Sequence, residues 1–171
     1  MAPQIYVADL AAYNYGSLRG VWIEFAKGTE AEEVRAEITE LLEDSDGDEW
    51  RIDDTEGFAE FKSSDLEKLC QVAALINQHG ETPVRGFFNN RGDDENPDSF
   101  GDYYRGCYES EEEFMQEICS HIDSEAEKIQ VFEWATLDKY IDWESIAHDA
   151  FINDYYSYSP KYQEVHVYTR N

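Results

Sequence analysis

Several constellations in this 171-residue chain contain residue types that do chemistry. Asp44, Asp46 and Asp48 alternate like the first ligands of a calcium loop. Such a loop needs Gly at its sixth position and Glu at its twelfth. Counted from Asp44, those positions hold Glu49 and Thr55, so the triplet reads as a solvated acidic turn. Cys119-x-His121 offers two metal donors, but no second pair with suitable spacing accompanies it. Cys119 also falls in the apolar period of its segment and reads as core. His79, His121, His148 and His166 have no nucleophile motif such as G-x-S-x-G. Carboxylate pairs for glycoside hydrolysis can be drawn anywhere among 39 acids, so no pair is informative without geometry. The residues therefore read as no enzyme, no metal site and no cofactor site.

The acids themselves are the strongest signal. With 13 bases against 39 acids, the formal net charge is -26. The stretch from Leu41 to Phe61 holds Glu43, Asp44, Asp46, Asp48, Glu49, Asp53, Asp54, Glu56 and Glu60, answered only by Arg51. Runs of like charge are usually disordered tails. Here Leu41, Leu42, Trp50, Ile52, Phe58 and Phe61 are threaded among the acids, and Trp50 and Ile52 alternate with charge as in a half-buried strand. Aromatics make up 15 % of the chain, too many for a disordered acidic protein. The expectation is a folded surface with carboxylates at fixed positions, meant for something basic. Nucleic acid and an anionic membrane surface would both repel it.

The elements that must hold these acids follow from pattern. Ile5–Leu10, Gly20–Phe25 and Trp50–Asp53 read as strands. Thr29 with Glu32 has capping-box spacing before the helical period Val34, Ile38, Leu41, Leu42. Ser64 with Glu67 opens a second helix, with Gly80 as its stop. Thr82-Pro83 starts a short third helix, followed by a loop over Asn89–Asp98. Ser110 with Glu113 opens a helix carrying Phe114, Met115, Ile118, Cys119 and Ile122, and Asp142 caps another over Trp143–Ala150. A hairpin, Tyr155–Tyr158 and Val165–Tyr168, turns around Ser159-Pro160. The fold class is α+β. Self-repulsion at this net charge favours an elongated shape. Three cysteines without a C-x-x-C pair fit a reducing cytoplasm. No apolar run approaches the ~20 residues of a membrane span, and the N-terminus lacks a signal-peptide pattern.

The order of short motifs resembles the ArdA antirestriction family. Tyr6, Val7, Tyr13, Asn14, Gly16, Gly20 and Trp22 match its opening. Glu49-Trp50, Glu56-Gly57-Phe58, Tyr104-Arg105-Gly106, Ser110 to Phe114, Tyr140 to Glu144 and His166-Val167 follow in the same order, across nearly the whole chain. His148 departs from the Arg of that pattern, and the Asn89–Asp98 loop is individual to this chain. The resemblance implies a DNA mimic that occupies the DNA-binding groove of type I restriction–modification enzymes and is carried on plasmids and conjugative transposons. It implies three small domains, 1–61 and 106–171 mixed and 62–105 mostly helical, with a homodimer formed through the C-terminal domain, 106–171. The carboxylates standing in for phosphates would be Glu43, Asp44, Asp46, Asp48, Glu49, Asp53, Asp54, Glu56, Glu60, Asp93, Asp94, Glu95, Asp98, Asp102, Glu109, Glu111, Glu112, Glu113 and Glu117. Val165, Val167 and Tyr168 read as an apolar edge strand that pairs across the dimer axis. The alternative reading is an acidic interaction module or a chaperone for a basic partner.

Overall fold

The computed structural model describes residues 2–170. Its elements are β1 Gln4–Asp9, α1 Leu10–Asn14, β2 Gly20–Glu24, α2 Ala31–Leu42, β3 Trp50–Glu56, α3 Leu66–His79, α4 Glu81–Arg91 and α5 Phe100–Tyr103. There follow β4 Tyr104–Tyr108, α6 Glu111–Ile118, α7 Ser120–Ala126, β5 Gln130–Phe132, β6 Ala135–Thr136, α8 Trp143–Asn153, β7 Tyr155–Lys161 and β8 Glu164–Thr169. The class is mixed α+β, as expected. The chain forms two compact units, the first ending at Phe100 and the second beginning at Gly101.

In the first unit a three-stranded antiparallel sheet runs β2-β1-β3. Ile5 and Val7 of the central strand are fully buried, and α2 packs on the sheet through Val34 and Ile38. Phe25 meets Phe58 edge-on at 5.2 Å, and Phe61 lies 4.6 Å from Phe88. The Asn77 amide donates to the Phe25 carbonyl at 3.0 Å, tying α3 to the end of β2. These contacts join residues on both sides of position 61.

The helix starts differ in detail from the sequence reading. Glu30, not Thr29, caps α2 in a reciprocal box with Glu33, and Asp65, not Ser64, caps α3 by accepting from the Lys68 amide. Both shifts are by one residue, between neighbours that can all cap. Gly80 ends α3 at φ +88° and immediately precedes α4, in which Pro83 is the third residue rather than the first. An amide there has no intrahelical acceptor in any case, so the proline costs no bond.

Gly20 in β2 stands opposite Ala8. A Cβ there would lie 2.4 Å from the Tyr6 hydroxyl and 2.6 Å from the Val7 carbonyl oxygen. The latter is central-strand backbone and cannot swing aside. Gly20→Ala is expected to destabilise the first unit by about 1–3 kcal/mol, as overpacking at a rigid site does. A chemical-denaturation midpoint equal to that of the parent would show that the strand pair has more play than this geometry allows.

In the second unit the sheet order is β4-β8-β7. Phe114, Met115, Ala147, Phe151, Val165 and Val167 form its core beneath α6 and α8. The structure corrects the expected edge strand. Strand β8 is central and hydrogen-bonded on both sides, and Val165, Val167 and Tyr168 are buried within their own unit. They are therefore not an exposed edge and do not offer a dimer surface. The hairpin turns at Tyr162-Gln163, with Gln163 at φ +57°. The register shifts between Tyr158 and Lys161, which brackets Ser159-Pro160. Proline cannot donate to a ladder and is tolerated on an edge strand such as β7. The helix expected through Ile122 breaks at Cys119, where φ is −100° and ψ 16°.

Candidate functional site: an acidic surface

Two stretches of the first unit place the acids of the 41–61 run. Glu43, Asp44, Asp46, Asp48 and Glu49 occupy the connection from α2 to β3, and all are exposed. The end of β1 ties this connection down: the Leu10 amide donates to the Glu49 carbonyl, next to Asp9, which is buried and whose carboxylate accepts from the Ala12 amide at 3.0 Å. The Ala12 amide in particular holds the Asp9 carboxyl below its usual range. Asp53, Asp54 and Glu56 lie on β3, an edge strand paired only with β1. The register slips between Tyr6 and Val7, which face Asp54 and Ile52, so Asp53 is an extra residue. This bulge breaks the alternation and turns both Asp53 and Asp54 outward. Glu60 is exposed and adopts φ +68° in the turn that sends Phe58 and Phe61 into the core.

The remaining candidates are spread over other elements. Asp93, Asp94 and Asp98 are exposed, whereas Glu95 is half-buried and paired with Arg91 at 2.9 Å. Asp102 is exposed at α5. Around α6, Glu109, Glu113 and Glu117 are exposed, while Glu111 and Glu112 are half-buried. Glu111 accepts from the Ser157 hydroxyl at 2.6 Å, and Glu113 accepts from the Glu109 amide. The structure thus brings 43–56 together on one unit and 109–117 on the other.

The exposed acids extend beyond that set. Helix α2 carries Glu32, Glu33, Glu37 and Glu40 on its open side, and Glu125, Glu127, Glu133, Glu144 and Asp149 are exposed in the second unit. Four of the seven exposed positions of α2 are glutamates, beside Arg35, Ala36 and Thr39.

Bases are largely spent within the protein. Arg35 bonds Glu67 and approaches Glu32, Arg51 bonds Asp53, Arg85 bonds Glu81, and Lys128, Lys139 and Lys161 bond Glu125, Asp138 and Glu164. The Arg35 hydrogen bond holds the Glu67 carboxyl below its usual range, and Arg91 does the same to Glu95. Exposed pairs of this kind contribute little stability. Their consequence is that few cations remain to mask the other acids.

The caps give the protein an acid limb. The Ser145 backbone amide and hydroxyl hold Asp142, the N-cap of α8, below the usual Asp range. A depressed carboxylate stabilises the fold above its unfolded pKa, and that stability is lost as pH falls through the folded value. Asp142→Asn keeps a capping oxygen but cannot titrate. The parent should melt above this variant at pH 7, and the gap should close toward pH 2. A gap independent of pH in calorimetry would refute this account.

Among the described residues no group of three or more His, Cys, Asp or Glu is arranged to hold a metal ion, and no helix is long and apolar enough to cross a membrane. Compared with known families, residues 5–164 match the family described as Antirestriction protein (ArdA). The chain belongs to this family. ArdA membership makes it an antirestriction protein. No curated protein matches the chain. The ArdA match spans both structural units, so the acids of β3 and those of α6 belong to one antirestriction protein.

Proposed function

We propose that this protein is a DNA mimic that occupies the DNA-binding groove of type I restriction–modification enzymes. The observation that carries this reading is the outward set of carboxylates at 43–56, held by the Leu10–Glu49 backbone hydrogen bond and the β3 bulge while Arg35, Arg51 and Arg85 are engaged internally. A groove built for DNA is lined with cations that await phosphates. Duplex DNA carries one charge per ~1.7 Å of axis, so 39 carboxylates match roughly 20 base pairs. The mimic replaces the contacts that position DNA and omits those that read bases. It therefore acts on enzymes of different sequence preference.

The array runs over three successive stretches, 1–61, 62–105 and 106–171, in an elongated cytoplasmic protein that binds no nucleic acid itself. Two copies associate through the C-terminal stretch. Support comes from residues 118–141, where Ile122, Ile129, Phe132, Tyr140 and above all Trp134, 80 % exposed, leave a wide apolar surface open. Only Ala126 and Ala135 are buried there. Exposed apolar patches of this extent mark interaction sites.

The test is displacement of labelled DNA from type I methyltransferase cores that recognise two different sequences. The protein should displace both with similar potency, more weakly as salt rises. No displacement at low salt, or displacement from one enzyme alone, would sink the reading. Equal binding to an unrelated basic protein would favour a general chaperone of basic partners.

A further inference from the structure

Beneath the acidic connection lies a cleft of about 480 Å³, between the C-terminal half of α2, residues 43–48 and the start of β3. Its volume is in the range of small-ligand sites. Ile38, Leu42 and Leu66 give it an apolar floor, Trp50 a half-buried aromatic wall, and Glu43 and Asp48 an exposed acidic rim. Arg35 also borders it, but its guanidinium is bound to Glu67 and lies 3.5 Å from Glu32. Glu43 and Asp48 make no ion pair among the described residues, so the rim has no cation of its own.

A row of phosphates has no counterpart to an apolar slot under two carboxylates. The chemistry that fits is a long side chain with an apolar stem and a cationic head. Arginine fits better than lysine, because its planar guanidinium stacks on an indole face and forks onto carboxylates. We propose that this cleft receives an arginine side chain of the partner enzyme. The inference rests on the reading that the partner presents a basic DNA-binding groove. It adds to that reading an anchor whose contribution does not scale with charge, so the surface is not uniform.

Two measurements test it. In the first, N-acetyl-arginine amide is titrated into the full chain and followed by NMR, with the neutral citrulline analogue as control. The arginine compound should shift the Trp50 indole N–H and the Gly47 amide more than the amides of residues 109–117, and the citrulline compound should shift neither. Equal shifts at both acidic stretches, or none, would overturn the proposal. In the second, Thr39→Trp closes the cleft without changing net charge. It should weaken displacement of DNA about tenfold or more, as loss of an anchor does, with the salt slope unchanged. Parental potency would overturn the proposal. If circular dichroism shows Thr39→Trp misfolded, Trp50→Leu takes its place with the same expected result. A parent protein that displaces no DNA would refute the mimicry instead, and the NMR titration would still decide the cleft.

Discussion

Reversing Asp44, Asp46, Asp48 and Glu49 together to lysine is expected to weaken displacement of DNA by roughly 10²–10⁴-fold. Each of these side chains is exposed, and an exposed ion pair is worth about 0.2–1 kcal/mol. Four reversals both lose those attractions and add repulsions of similar size; eight contributions from the middle of that range, about 0.4–0.7 kcal/mol each, total about 3–6 kcal/mol, where 1.4 kcal/mol is tenfold. Asp46→Asn alone should cost threefold or less. The fold should persist, because none of the four side chains is buried and the change relieves self-repulsion. Competition titrations of the quadruple variant, the single variant and the parent decide the point. A single neutralisation that abolished inhibition would show one indispensable residue instead of a shared field.

The second large effect is Val167→Lys. Val167 is fully buried in the central strand of its sheet, in the cluster with Phe114 and Phe151. A lone ammonium there has no partner, and burying it costs several kcal/mol, a large part of the 5–15 kcal/mol that holds a domain together. The second unit is expected to unfold, with loss of near-ultraviolet dichroism, rather than to yield a folded monomer. Trp134→Lys is the informative contrast. Its ring is 80 % exposed, so the variant should keep its fold and sediment as a monomer, whereas the parent should sediment as a dimer. If Val167→Lys remains folded, the strand order in this unit is wrong. If the parent is already monomeric at micromolar concentration, the apolar surface of residues 118–141 has some other occupant.

The helices with a single apolar stripe were legible in the sequence. Val34 and Ile38 of α2, and Leu69, Val72, Ala73 and Ile76 of α3, are all buried, and Asp142 and Ser110 cap the helices they were expected to cap. What escaped depends on distant partners. Strand β4 reads as a polar aromatic segment, YRGCY, and becomes a strand only because β8, about sixty residues later, pairs with it. That same pairing places β8 in the middle of the sheet, whereas its apolar alternation near the chain end reads, without β4, as an edge. The apolar period through Ile118 and Ile122 ran across a helix break, and both residues are exposed. The acidic surface was legible in kind, because exposed carboxylates need no partner to be recognised. The cleft under it was not, because its floor joins Ile38 and Leu42 to Leu66, on a helix whose approach no local pattern encodes.

The bulge at Asp53 has a consequence for how copies of this chain avoid one another. A free strand edge is a template for fibrils, in which identical segments stack about 4.8 Å apart. On β3 such stacking would place Asp53 over Asp53 and Asp54 over Asp54 at every layer, and the strand's single base, Arg51, is bonded to Asp53 and leaves Asp54 unanswered. The extra residue also skews the backbone away from the straight line that stacking requires. Crowded or partly unfolded chains should therefore stay dispersed at this edge near neutral pH. The hazard should return in a variant with Asp53→Asn and Asp54→Asn, which removes the repulsion and leaves Trp50 and Ile52 to seed the stack.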